Sequence, residues 1–184
     1  SPMPIAIQLA HAGRKASTWS PLLPDVAGTV PAAEGGWTPV APTALAYDGY
    51  AVPEALDATG IDDVVADFAA AAQRALDAGF EVLEVHAAHG YLLHQFLSPL
   101  TNERSDEYGG SLENRARLLL RVIDAVRAVA PDAPVFVRFS AVDWAEGGWS
   151  VEDTATVARW SAEHGADFFD ISSGGLVAHQ QIVT

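Results

Sequence analysis

Four short runs along the chain are mostly apolar at odd and even positions alike: Ile5–Ala10, Val82–His86, Val135–Ser140 and Phe168–Ser172. Runs of that length, greasy on both parities, predict strands of a parallel sheet covered on both faces. Between them the period becomes helical. Val65, Phe68, Ala69, Ala72 and Leu76 recur at helical spacing, and Gly79 supplies the stop. Ser111 is placed to cap a helix reaching Val129, with Pro131 beyond its end. Ser150, with Asp153 three residues on, predicts a capping box for a third helix that ends at His164–Gly165.

One weak repeat runs through these elements. The segments 79–85 and 165–171 share the pattern Gly-x-acid-apolar-apolar-acid-apolar, each following a helix and opening a strand. Alternating strands and helices of this size predict a parallel α/β fold, either a (β/α)8 barrel or a doubly wound sheet. Ser17–Gly60 breaks the rhythm. It is rich in Pro, Gly and Ala, carries Trp19, Trp37, Tyr47 and Tyr50, and holds no period; it predicts an ordered loop excursion over the barrel mouth. Only four strands are readable, whereas a closed barrel needs eight and about 250 residues. Residues 1–184 are therefore expected to form one partial barrel domain of a longer protein.

Composition narrows the functions. At 49% apolar and 18% charged, the 184 residues can bury a core, and no stretch approaches the length of a membrane span. A net charge of -14 opposes binding to nucleic acid or to an anionic membrane surface. Cysteine is absent, which removes disulfides and thiolate ligands from this chain and fits a cytoplasmic protein.

The candidate chemistry sits where strands end. Gln8 is the polar exception in an apolar run, and reads either as a core amide bonded to backbone or as a match for a ligand edge with a donor and an acceptor. Arg138, in VFVRFS, cannot discard its proton. It needs an anion nearby, either a structural Asp or a ligand oxygen. His86 and His89 close a strand three residues apart. They read as core and turn residues, as a metal pair, or as two neutral donors to one developing oxyanion; with no cysteine and no close carboxylate, no metal is assigned. Tyr91 follows, and a phenol that keeps its proton at neutral pH can donate it late in a reaction. Arg14 and Lys15 read either as groups facing substrate or cofactor phosphate or, as expected, as surface charges, and NERSDEYGG as a structural clasp ahead of Ser111.

These motifs, IQLAHAGRK, HAAHGYLLHQFLSPLTNERSDEYGGSLENR, VRFS and DISSGG, resemble in order and spacing the old yellow enzyme family of flavin-dependent ene-reductases, in its two-histidine, thermophilic-like branch of NADPH dehydrogenases. The resemblance implies a (β/α)8 TIM barrel with FMN at its mouth, this chain supplying about the third to sixth strands. It implies cofactor contacts from Gln8, to the pyrimidine edge of the flavin, and from Arg138, near its N1–C2 carbonyl region. It implies that His86 and His89 hold the carbonyl or nitro oxygen of an activated alkene while Tyr91 protonates the α-carbon. NADPH or NADH would be the reductant, and the full-length enzyme a homo-oligomer. Family contacts from the first two and last two strands lie outside the chain. Two alternatives remain at this point: a related flavin barrel, such as a demethylase or dienoyl-thioester reductase, and a non-catalytic half-barrel fragment.

Overall fold

In the computed structural model, which describes residues 3–20, 22–23 and 26–182, strand β1 (Ala6–Leu9) is followed by the long segment that breaks the period. A 3-10 turn, Gly13–Lys15, precedes that segment, which holds a second, Ala32–Glu34, and a two-residue parallel pair, β2 (Val40–Ala41) with β3 (Glu54–Ala55). Then come α1 (Ala58–Asp77), β4 (Val82–Ala87), α2 (Leu92–Leu97), α3 (Leu112–Val129), β5 (Val135–Ser140), α4 (Val151–Glu163) and β6 (Phe168–Ser172). The main sheet runs β1-β4-β5-β6, every neighbour parallel and in chain order. A doubly wound sheet reverses its strand order at a switch point; this one does not, and that is the winding of a barrel.

Helix boundaries follow local chemistry. Asp57 accepts from Gly60 N to open α1, Ser111 from Asn114 N to open α3, and Ser150 and Asp153 form the reciprocal box that opens α4. The repeat seen in the sequence is one joint used twice. Gly79 (φ 91°) donates to Leu76 O while Phe80 N reaches Ala75 O, and Gly165 (φ 102°) donates to Ala162 O while Ala166 N reaches Ser161 O. Both are Schellman closures, which need a residue at positive φ and so favour glycine. The buried stripe of α1 is Ile61, Val64, Phe68, Ala72 and Ala75, rotated from the expected one, with Val65 and Leu76 on its half-buried flank.

The sheet has two unlike faces. Leu83, Val85, Ala87, Val135, Val137 and Phe139 are fully buried in one cluster with the apolar stripes of α1, α3 and α4. Each such Leu, Val or Phe contributes about 1.5–3 kcal/mol by leaving water. Residues of the opposite parity carry Gln8, Glu84, His86, Arg138, Asp170 and Ser172; Gln8 is exposed and Glu84, Arg138, Asp170 and Ser172 are half-buried, while His86 is buried against His89 and Tyr91. At the outer strands Ile5, just ahead of β1, and Phe168 and Ile171 of β6 are more than half exposed. No helix of the described residues is long and apolar enough to cross a membrane.

Candidate active site

Register gathers the polar residues of the open face. His86 of β4 pairs with Arg138 of β5, and Arg138 with Asp170 of β6; one tier earlier, Gln8 of β1 pairs with Glu84. Beyond Ala87 the chain must turn from strand into α2. It does so through two successive residues at positive φ, His89 (57°) and Gly90 (70°). A left-handed histidine is uncommon, and here the surroundings hold it. His89 N donates to Ser140 Oγ (2.9 Å), and Gly90 N donates to Nδ1 of the buried His94 (2.9 Å).

That turn folds the His89 ring back onto His86. His89 Nδ1 and His86 Nε2 lie 3.3 Å apart, with ring centroids at 5.0 Å. Tyr91, the residue before α2, sets its ring edge-on to His86 at 5.2 Å. Burial pushes the His86 pKa down to about 4, helped by His89, Arg138 and His94 and opposed by Asp170. His89 is lowered as well, first by burial and then by Arg138, His94 and Lys15, with Asp170 opposing. Both imidazoles are therefore neutral at pH 7. His86 Nδ1 is buried without a partner.

The other predicted residues fall into place differently. Arg138 Nε sits 3.3 Å from Asp170 Oδ2, so the structural ion pair anticipated for it exists; its Nη atoms meet no acceptor among the described residues. Gln8 is exposed on β1, the outer strand of the described sheet; its carboxamide donates to Glu84, and it stands a tier away from the histidines. Arg14 and Lys15 are corrections, since neither is a surface charge. Arg14 is 4% exposed and donates to the carbonyls of Leu45, Ala46 and Leu176. Lys15 Nζ donates to His89 O (2.9 Å) and Gly175 O and lies 4.4 Å from the Tyr47 ring centroid. Burial, with Arg14 beside it, lowers its pKa to about 8. The long segment is thereby tied to the turn that carries the histidines. NERSDEYGG is the clasp expected of it: Asn102 donates to Phe96 O and Tyr108 O, and Arg104 pairs with Asp106.

Three contributors escaped the sequence reading: Ser140, Asp170 and Ser172. Each lies an even number of residues from Arg138 or from its register partner, so strand parity starting from Arg138 would have found them. Among the described residues no three His, Asp or Glu side chains converge as metal ligands.

Residues 3–183 match the model of the NADH:flavin oxidoreductase / NADH oxidase family. An NADH:flavin oxidoreductase of Gibberella zeae is 50% identical over 187 residues, covering 94% of this chain and 45% of the relative. The NADPH dehydrogenase of Bacillus subtilis is 47% identical over 174 residues, covering 94% of this chain and 46% of the relative. Among solved structures, the old yellow enzyme homologue from Zymomonas mobilis superposes with a TM-score of 0.73 at 33% identity, over 91% of this chain and 47% of that one. The chain spans about half the length of the curated relatives it matches, so its four-stranded sheet is part of a TIM barrel. With that match running along nearly the whole sequence, the chain belongs to the NADH:flavin oxidoreductase / NADH oxidase family, the family of old yellow enzyme.

Proposed function

We propose that the full-length protein reduces activated C=C bonds of α,β-unsaturated carbonyl or nitro compounds, with hydride taken from NADPH or NADH. The observation that carries this reading is the approach of His86 Nε2 and His89 Nδ1 to 3.3 Å on the open face, next to Arg138. Hydride addition at the β-carbon drives charge onto the conjugated oxygen. Two neutral N–H donors aimed at one point act where that charge develops. Tyr91, packed against His86, is the proposed donor of the proton to the α-carbon.

The family's FMN supplies the hydride transfer between nicotinamide and alkene. Residues of this chain fit such a group. Arg138 offers its guanidinium, with Asp170 Oδ2 3.3 Å from its Nε, to a ring that gains negative charge on reduction. Gln8, at the neighbouring tier, would exchange its bond to Glu84 for the edge of the ring. A nicotinamide and an alkene using one open face in turn react by a ping-pong scheme, in the cytoplasm where reduced nicotinamide is regenerated. The printed names of the relatives, NADH:flavin oxidoreductase and NADPH dehydrogenase, support the flavin and the reductant.

The test is His86→Ala in the full-length enzyme. Alkene reduction should fall about 10²–10³-fold, the usual loss for one oxyanion donor. Flavin reduction by NAD(P)H, followed separately, reports on the other half-reaction. Unchanged alkene turnover removes the oxygen-gripping role.

A further inference from the structure

One charged side chain beside the histidine turn has no part in the proposed chemistry. Lys15 follows the C-terminal end of β1, where barrels build their sites and an amine is well placed to meet substrate. Its hydrogen bonds go elsewhere. Burial, with Arg14 beside it, lowers its pKa only to about 8, so at pH 7 it is an ammonium with three N–H donors and no acceptor. Nζ donates to His89 O (2.9 Å) and to Gly175 O. It also lies over the Tyr47 ring, 4.4 Å from the centroid, which occupies its third side. No donor is left for a substrate oxygen.

The two carbonyls belong to the backbone that sets the site. His89 holds φ 57°, a conformation that a histidine keeps only where its surroundings over-determine it. Its N–H is fixed by Ser140 Oγ and its C=O by Lys15; no other donor among the described residues reaches His89 O or Gly175 O. The two loops are in close contact there. A Cβ on Gly175 would stand 2.7 Å from His89 Cα, and one on Gly90 would stand 2.9 Å from Nζ itself. Two carbonyl oxygens, each partly negative, therefore converge on one point, and without a cation between them they repel and stay unpaired. We propose that Lys15 is a positioning residue: its ammonium draws the turn after β4 and the loop after β6 together, and so holds His89 in the left-handed conformation that brings its ring to His86. The same charge joins burial, Arg138 and His94 in lowering the His89 pKa.

The effect on turnover rests on the oxygen-gripping role proposed above, and the experiment separates the two. In the full-length enzyme, Lys15→Ala removes the ammonium and leaves room for propylamine, which replaces the atoms lost. Two readouts are followed: kcat/KM for the alkene, and the NMR signal of the His89 ring, assigned with His89→Asn. Lys15→Ala should lower kcat/KM by about 10–10²-fold and shift the His89 signal, and propylamine, charged at pH 7, should restore both in part. Lys15→Met, which keeps the apolar stem and no donor, should behave as Lys15→Ala does without amine. A Lys15→Ala enzyme with wild-type turnover and His89 signal, or losses that propylamine leaves unrelieved, overturns the proposal. Should the signal shift and recover with amine while His86→Ala turns over normally, the Lys15 assignment stands and the oxygen-gripping role falls.

Discussion

Replacing Asp143 by alanine should destabilise the protein by about 2–6 kcal/mol, although Asp143 touches no residue proposed to meet substrate. Asp143 is fully buried in the loop after β5. Its Oδ2 accepts from Ser98 Oγ (2.6 Å) and Trp149 N (2.7 Å), and its Oδ1 lies 2.9 Å from His94 Nε2. Alanine strips Ser98 and Trp149 of their acceptor, and removes the carboxylate beside His94, in a place water does not reach. A buried donor left unpaired costs about 1–3 kcal/mol, so the two firm bonds alone give about 2–6. The consequence reaches the site, because His94 accepts from Gly90 N through Nδ1 and so braces the turn between His89 and Tyr91. Equilibrium urea unfolding of the full-length protein, followed by tryptophan fluorescence, measures the effect. With a slope of about 2–3 kcal/mol per molar, a loss of 3 kcal/mol moves the midpoint by at least about 1 M. A midpoint shift equivalent to less than about 1 kcal/mol would show that Asp143 is not the common acceptor described here.

Two further outcomes follow from the same geometry. His86 titrates near 4 when folded and at its ordinary 6.5 when unfolded, so between those values the unfolded state holds more protons and stability rises with pH. Its share is at most about 3 kcal/mol, full above pH 6.5 and lost as pH falls toward 4. The slope of stability against pH across that window should flatten in His86→Asn; equal slopes in the two proteins refute the shift. Gly175→Ala should damage the site more than Gly147→Ala does, although both glycines sit at positive φ (88° and 71°). A Cβ on Gly175 would stand 2.7 Å from His89 Cα, whereas one on Gly147 meets nothing within 4 Å. The Gly147 variant should lose only the backbone term of about 1–2 kcal/mol and keep its turnover. The Gly175 variant should lose more on both counts, and equal losses in thermal unfolding and turnover sink the claim that the two loops are in contact through that glycine.

What the sequence made legible was whatever local chemistry decides. Gly79 and Gly165 announced the same joint because a Schellman closure demands one conformation at one position, and Ser150 with Asp153 announced a cap because the bonds span three residues. His86, His89 and Tyr91 were legible for a similar reason: a single turn brings them together. Burial was harder to read. Gln8 looked buried because its neighbours are apolar, yet among the described residues it is exposed on the outer strand β1. Arg14 looked like surface because charged residues usually are, but three backbone carbonyls from two distant segments, 31 to 162 residues away, converge on its guanidinium. Ser172 shows the limit most clearly. Nothing in the words DISSGG says that one of its serines will meet a histidine 83 residues earlier. That contact exists because β4, β5 and β6 run parallel in unbroken order, so their C-terminal ends arrive at one place together. Once that order is known, the residues that follow each strand become candidates for a single site.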